Sequence, residues 1–267
     1  MDLLQENRKK EESKKTIRVL VMALYLICLV NTAGIPLNPS LAGEPLKGAQ
    51  AEKAGEENTA VQETAAGIPG DEKDADTVQE TPAEKKKIAL TFDDGPSGCT
   101  GRLLNGLRKR NVKATFFVLG QKVEENLELT KKISEDGHQI GNHTYSHAKL
   151  DTLSIAEAKR ELEKTSHAIF KATGKFPEYM RPPYGVCPEK LEDSVDMILV
   201  RWSVDPQDWN TQNADEIVRK VVTKAEENDI ILLHDCYDSS VDAALGIVDA
   251  LKEENFEFVT VDELYLN

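Results

Sequence analysis

The chemistry available to this 267-residue chain is concentrated in five short polar runs. They are Asp93-Asp94-Gly95-Pro96, His143-Thr144-Tyr145-Ser146-His147, Arg181-Pro182-Pro183-Tyr184-Gly185, Asp205 to Trp209, and His234-Asp235. His143 and His147 stand four residues apart, which puts both imidazoles on one face if the segment forms one helical turn. Two imidazoles suit a divalent metal. With a carboxylate as third ligand, positions stay open for water and substrate, as in a catalytic rather than a structural centre. Taken alone, the pair is equally what two solvated or capping histidines would show, so its neighbours decide.

Elements that would position these runs can be read from the hydrophobic pattern. Lys87 to Phe92 reads as a strand, followed by a Gly-Pro turn and a helix through Leu103, Leu104 and Leu107. Ala114 to Leu119 is β-branched and aromatic, Leu127 to Ile133 has helical spacing, and Gly137 to Asn142 turns into another short strand. Ser154 can cap a long helix through Phe170, Met180 begins a short extended piece, and Ile198 to Val204 reads as a buried strand. A helix over 215–225, a strand over 230–233, a helix over 241–251 and a strand over 256–261 complete the chain. Strands alternating with helices imply a parallel sheet covered by helices, either doubly wound or closed as a barrel. About seven such units fit the length, which favours a barrel shorter than the eight-fold one. Sites in these folds collect at the C-terminal ends of the strands, where all five polar runs fall.

In this order, Thr91-Phe92-Asp93-Asp94-Gly95-Pro96, His143 to His147, Arg181 to Gly185, Asp208-Trp209 and Leu232-Leu233-His234 resemble the polysaccharide deacetylase family. This is carbohydrate esterase family 4, with its NodB-type domain, and the likeness extends to bacterial peptidoglycan N-acetylglucosamine deacetylases. It covers residues 86–267. The resemblance implies an α/β fold, a distorted (β/α) barrel of about seven strand-helix units, and metal-dependent removal of acetyl groups from a carbohydrate. It assigns Asp94, His143 and His147 as metal ligands, Asp93 as base and His234 as acid. It also implies that Arg181 orients Asp93, that Asp208 holds His234 protonated, and that the Tyr184 backbone N–H faces the oxyanion.

Those roles meet the needs of amide hydrolysis, which requires a nucleophile, a place for the oxyanion and a proton for the departing amine. Adjacent Asp93 and Asp94 cannot point the same way from an extended backbone, so one suits the metal and the other the attacking water. Trp209 and Leu232 would line a small apolar pocket for the acetyl methyl, or else simply pack in the core. The ligand set accepts zinc, cobalt, nickel or manganese, with zinc favoured by the Irving–Williams order. The expected substrate is an N-acetylated cell-wall polysaccharide, first peptidoglycan N-acetylglucosamine. The alternatives are chitin-type or other poly-N-acetylhexosamines, O-acetyl xylan, and a glycan-binding wall protein without catalysis. His138 and His167 read as structural. Cys99, Cys187 and Cys236 read as three small buried thiols, although their closeness to the site runs also admits a disulfide with one thiol left over.

Composition sorts the chain into parts. With 47 acidic and 33 basic side chains the net charge is −14, which disfavours nucleic acid as a partner. Hydrophobic residues are 40% of the chain, too few for a multi-span membrane protein. Residues 1–42 carry +2, with six basic side chains before the uncharged apolar run Val19 to Val30, the pattern of a signal peptide or an uncleaved signal anchor. Residues 43–85 carry −7, hold no aromatic residue, and read as a disordered acidic linker. The expected location is therefore extracellular, secreted or anchored at the cell surface. Any membrane contact would be made through the N-terminal anchor alone.

Overall fold

A computed structural model describes residues 84–266. The expected signal segment and nearly all of the expected linker lie outside the described residues. Seven parallel strands form one curled sheet: β1 (Lys86–Asp93), β2 (Thr115–Val118), β3 (Gln139–Asn142), β4 (Tyr179–Met180), β5 (Ile198–Leu199), β6 (Ile230–His234) and β7 (Phe256–Val259). Their order is β5-β4-β3-β2-β1-β6, and β7 pairs with the first half of β1. Past β5, Val204 bridges Ile231 in β6, which brings the chain beyond one edge of the sheet against the other. This is the expected α/β barrel, distorted and built from seven strands.

Among the described residues eight helices pack around the sheet: α1 (Thr100–Lys109), α2 (Gly120–Glu125), α3 (Leu127–Glu135), α4 (Ile155–Thr173), α5 (Glu189–Glu192), α6 (Ala214–Val222), α7 (Asp238–Glu253) and α8 (Val261–Leu266). The sequence explains the main ones. In α1 the apolar stripe Leu103, Leu104 and Leu107 is fully buried. The longest helix, α4, starts with a reciprocal capping box between Ser154 and Glu157 and stops at Gly174, whose left-handed φ of 74° ends it. Strand β1 is buried on both faces beyond its first two residues, as a central parallel strand must be. Phe92 and Phe116 stack with centroids 5.2 Å apart in the layer between sheet and helices.

Two expectations need correction. Ile198 to Val204 is not one strand: pairing stops at Leu199 and resumes only at Val204. The carbonyls of Val200 and Arg201 instead accept from the buried Arg181 guanidinium, at 3.4 and 3.3 Å, so they turn inward rather than along a ladder. The final strand ends at Val259 and is followed by α8, which the strand reading over 256–261 obscured. The signal was in the sequence, because Thr260 and Glu263 form a capping box in which each side chain accepts from the other's N–H.

Candidate metal-dependent hydrolase site

All ten residues singled out from the sequence converge at the C-terminal ends of the strands. Asp93 is the last residue of β1, and His234, the last of β6, is its register partner on the neighbouring strand. His143 follows β3, Arg181 follows β4, and Asp208 and Trp209 begin a short 3₁₀ turn between β5 and α6. Asp93, Asp94, His143, His147, Tyr184, Trp209, Leu232 and His234 line one cavity of about 450 Å³, together with Trp202, Asp205 and Tyr237. Arg181 and Asp208 are buried just behind it.

The two histidines meet, but not on a helical turn. Residues 143–149 form a loop in which Thr144 and His147 take left-handed φ values of 67° and 60°, and the imidazole centroids lie 5.2 Å apart. Asp94, Tyr184 and Gln207 are left-handed as well, so five of the eight non-glycine residues with positive φ among the described residues sit in the loops around this cavity. Each costs roughly 1 kcal/mol, and such strain persists where the surrounding structure over-determines it. Asp205 shows how: its Oδ1 accepts from Gln207 N at 2.8 Å and fixes the turn that presents Asp208 and Trp209.

The donor set fits a small divalent metal. His143 Nδ1 lies 2.7 Å from the Arg181 carbonyl oxygen, which can only accept, so Nδ1 donates and Nε2 is left bare. That Nε2 and His147 Nε2 lie 3.5 and 3.4 Å from Asp94 Oδ1, and the three ligand atoms fall within 4.8 Å of one another. Two ligands of a tetrahedral ion, each about 2.1 Å from it, sit about 3.4 Å apart. Asp94 Oδ1 is buried without a hydrogen-bond partner, a costly state that a cation would relieve. Burial lowers the His147 pKa by more than Asp94 raises it, with His143 adding to the lowering, which favours the neutral ligand form.

On one side of the cluster, Asp93 Oδ1 accepts from Arg181 Nη1 at 2.8 Å. Arg181 is wholly inaccessible, and the same nitrogen also donates to Thr91 Oγ1 at 2.8 Å while the guanidinium lies over the Phe117 ring, 4.2 Å from its centroid. A buried ion pair this well satisfied fixes the direction of the carboxylate. Asp93 Oδ2 is thereby left toward His143 Nε2, 3.7 Å away. On the other side, Asp208 accepts from both the backbone N and Nδ1 of His234, each at 2.8 Å. Burial alone would lower the His234 pKa, but the Asp208 hydrogen bond and charge, helped by Asp93 and Asp94, raise it to about 9. The Asp208 pairing thus favours the imidazolium form of the metal-free ring and leaves Nε2 as the nitrogen that can donate.

The remaining predicted residues fall where the chemistry needs them. Tyr184 has φ 60°, and its N–H has no acceptor among the described residues, so it is free to face an anion. Its ring packs against His147 at 4.9 Å. Trp209 is 55% exposed at the rim, which rules out plain core packing, whereas Leu232 is buried on the floor. Sequence reasoning missed Trp202 and Tyr237: Trp202 lies inside what reads as a continuous strand, and Tyr237 two residues beyond the last polar run. Asp235 is a further residue that its neighbour His234 overshadowed. It is fully buried, and burial, opposed by a Thr100 hydrogen bond, raises its pKa to about 7. His138 and His167 are structural as expected: His138 Nδ1 accepts from Ala114 N at 3.1 Å, and His167 Nδ1 donates to the Glu163 carbonyl at 2.8 Å. Cys99, Cys187 and Cys236 form no disulfide among the described residues, and all three are half-buried rather than fully buried.

Comparison with known proteins agrees with this geometry. Residues 80–197 match the family model described as polysaccharide deacetylase. The peptidoglycan-N-acetylglucosamine deacetylase PgdA of Listeria monocytogenes is 42% identical over 191 residues, covering 70% of this chain and 41% of its own. A Bacillus cereus peptidoglycan-N-acetylglucosamine deacetylase is 38% identical over 192 residues, covering 69% of this chain and 70% of its own. The peptidoglycan-N-acetylmuramic acid deacetylase PdaC of Bacillus subtilis is 40% identical over 181 residues, covering 67% of this chain and 39% of its own. Its solved structure superposes with a TM-score of 0.66, over 67% of this chain and 90% of that one. The chain belongs to the polysaccharide deacetylase family, and it spans about two fifths of the length of the first curated relatives it matches.

Proposed function

We propose that the protein is a metal-dependent hydrolase that removes N-acetyl groups from a cell-wall polysaccharide, with peptidoglycan N-acetylglucosamine as the first substrate. The observation that carries this reading is the convergence on one cavity of an Arg181-oriented carboxylate, an Asp208-held imidazole and the Asp94, His143 and His147 cluster. A divalent metal held by those three residues, zinc in the first instance, would supply Lewis acidity that polarises an acetyl carbonyl and acidifies a water. Asp93 takes the proton of the attacking water through the oxygen that Arg181 leaves free. The Tyr184 N–H donates to the oxyanion as the carbonyl becomes tetrahedral. His234 Nε2 then gives its proton to the departing amine, which is too poor a leaving group without it. Leu232 and Trp209 enclose the methyl group, which restricts the acyl chain to a short one.

The substrate class is supported by the relatives named for peptidoglycan deacetylation and by the reading of residues 1–42 as an export signal that would place the domain at the cell surface. Among the described residues no helix is long and apolar enough to cross a membrane. The test is acetate release by the full chain from N-acetylglucosamine oligomers, intact peptidoglycan and acetylated xylan, with and without a chelator and with Asp93→Asn. Release from the first two, lost on chelation and in Asp93→Asn, supports the proposal. Activity untouched by both treatments overturns the mechanism. Release from xylan alone makes the protein an esterase, and analysis of the muropeptides formed separates N-acetylglucosamine from N-acetylmuramic acid as the target.

A further inference from the structure

Asp235 lies at the hinge between the two loops that carry the reacting groups. It directly follows His234, and the register Asp93↔His234 sets it beside the loop Asp94 to Cys99. Its side chain is fully buried, and Oδ2 accepts a short hydrogen bond from Thr100 Oγ1, the first residue of α1. Thr100 Oγ1 itself accepts from Ser97 N at 2.7 Å, which leaves its own hydrogen for Asp235. Ser97 Oγ donates in turn to the Asp235 carbonyl at 2.6 Å and accepts from Cys99 N at 3.0 Å. On the other side the carboxylate rests on Gly95, where a Cβ would come within 2.5 Å of both oxygens. Gly95 is thus held by contact, and its carbonyl is held by Leu119 N at 3.0 Å. The neighbouring Asp94 is left-handed at φ 71°, a conformation that would relax without restraint.

We infer that Asp235 is a positioning residue that locks the Asp93-Asp94 loop to the His234 loop, so that the metal ligand, the base and the acid keep one spacing. The inference rests on the deacetylase reading and adds to it a residue that touches neither substrate nor metal. The clamp acts by shape and by accepting hydrogen bonds, one from the Thr100 hydroxyl to Oδ2 and a weak one from Cys236 Sγ to Oδ1 at 4.0 Å, with a glycine as its closest neighbour. An amide of the same shape should therefore replace the carboxyl, and an alanine should not. Outer groups of this kind alter metal affinity and turnover by about 10- to 100-fold.

The experiment compares full-length wild type, Asp235→Ala, Asp235→Asn and Thr100→Val. It reads three quantities: the dissociation constant and visible absorption of bound Co²⁺, kcat and KM for acetate release from N-acetylglucosamine oligomers, and the thermal midpoint. Expected for Asp235→Ala is Co²⁺ binding weakened about tenfold or more, an altered Co²⁺ band, and kcat down about tenfold or more with KM within threefold. Asp235→Asn should recover both to within about threefold of wild type. Thr100→Val, which removes one hydroxyl and leaves the core packed, should move Co²⁺ binding and kcat in the same direction at a nearly unchanged thermal midpoint. Wild-type Co²⁺ binding, spectrum and kcat in both Thr100→Val and a folded Asp235→Ala would overturn the inference. So would Asp235→Asn being as impaired as Asp235→Ala. Absence of acetate release from wild type would strike the deacetylase reading instead, leaving the Co²⁺ readout to judge the clamp by itself.

Discussion

Asp208→Asn removes the carboxylate charge beside His234 and asks what that charge is worth. Asp208 is buried, and its two oxygens are both committed to His234, one to the backbone N and one to Nδ1. Asparagine keeps the shape but loses the charge and one of the two acceptor oxygens, its NH2 group facing the second His234 nitrogen. His234 has its pKa raised from 6.5 to about 9 against the opposing effect of burial. At about 1.4 kcal/mol per pH decade, that difference is about 3 kcal/mol of preference for the imidazolium. Without the carboxylate, burial dominates and the midpoint should fall below 6.5. At pH 7.5 the protonated fraction of the metal-free ring would drop from about 97% to under about 10%, and the weakened acid should lower amide turnover by about tenfold to about 10²-fold. The assay has two parts. NMR titration of the His234 ring is done on chelator-treated protein, because a dication in the same cavity would itself pull the midpoint down. Acetate release is then followed against pH for an N-acetyl amide and for an aryl acetate, whose leaving group needs no proton. The reasoning requires a titration midpoint that falls by two decades or more, a high-pH limb that moves to lower pH for the amide, and a much smaller loss on the ester. A midpoint that stays near 9 in Asp208→Asn, or equal losses on amide and ester, would refute it.

Asp93→Asn should abolish acetate release while Co²⁺ still binds. Because it leaves the Arg181 guanidinium buried without its counter-charge, it should also cost about 3 kcal/mol of stability, read by chemical denaturation. Chelation should silence the wild type and Zn²⁺ or Co²⁺ restore it, with recovered activity following bound metal. Leu232→Ala should deepen the floor of the cavity, raising the rate on propionyl relative to acetyl substrates by about tenfold, measured as the ratio of kcat/KM values. Stability carries a His234 contribution as well. Its folded pKa lies above the unfolded value, so the contribution is fully present below about pH 6.5 and is lost as pH rises through about 9. His234→Gln should flatten the fall of the thermal midpoint over that window.

The candidate site groups were legible because their placement follows from strand ends. In a parallel barrel, a polar residue that directly follows a buried apolar strand has one place to go, and Asp93, His143, Arg181 and His234 all obey that rule. What the residues could not show is how the loops bend. The spacing of His143 and His147 fits a helical turn, yet the loop brings the rings together through left-handed Thr144 and His147, which no periodicity encodes. Such bends are decided by tertiary partners: Glu161 Oε2, sixteen and fifteen positions away, accepts from the N–H groups of Tyr145 and Ser146 and holds the loop open from α4. The same holds for Ile198 to Val204. Its apolar residues promise a strand, but the inward pull of Arg181 on two carbonyls ends pairing after two residues, leaving Trp202 at the cavity wall. Local propensity yields wherever a buried charge must be satisfied, because an unmet guanidinium costs more than a lost strand pair. The departures from pattern thus gather around the groups that carry the chemistry. Arg181 is the clearest case: the one side chain that orients the proposed base also reshapes the strand beside it, so Arg181→Lys, which cannot reach four acceptors in one plane, should disturb Asp93 and the Trp202 wall together. A loss of acetate release with unchanged Trp202 fluorescence would separate those two effects and refute that coupling.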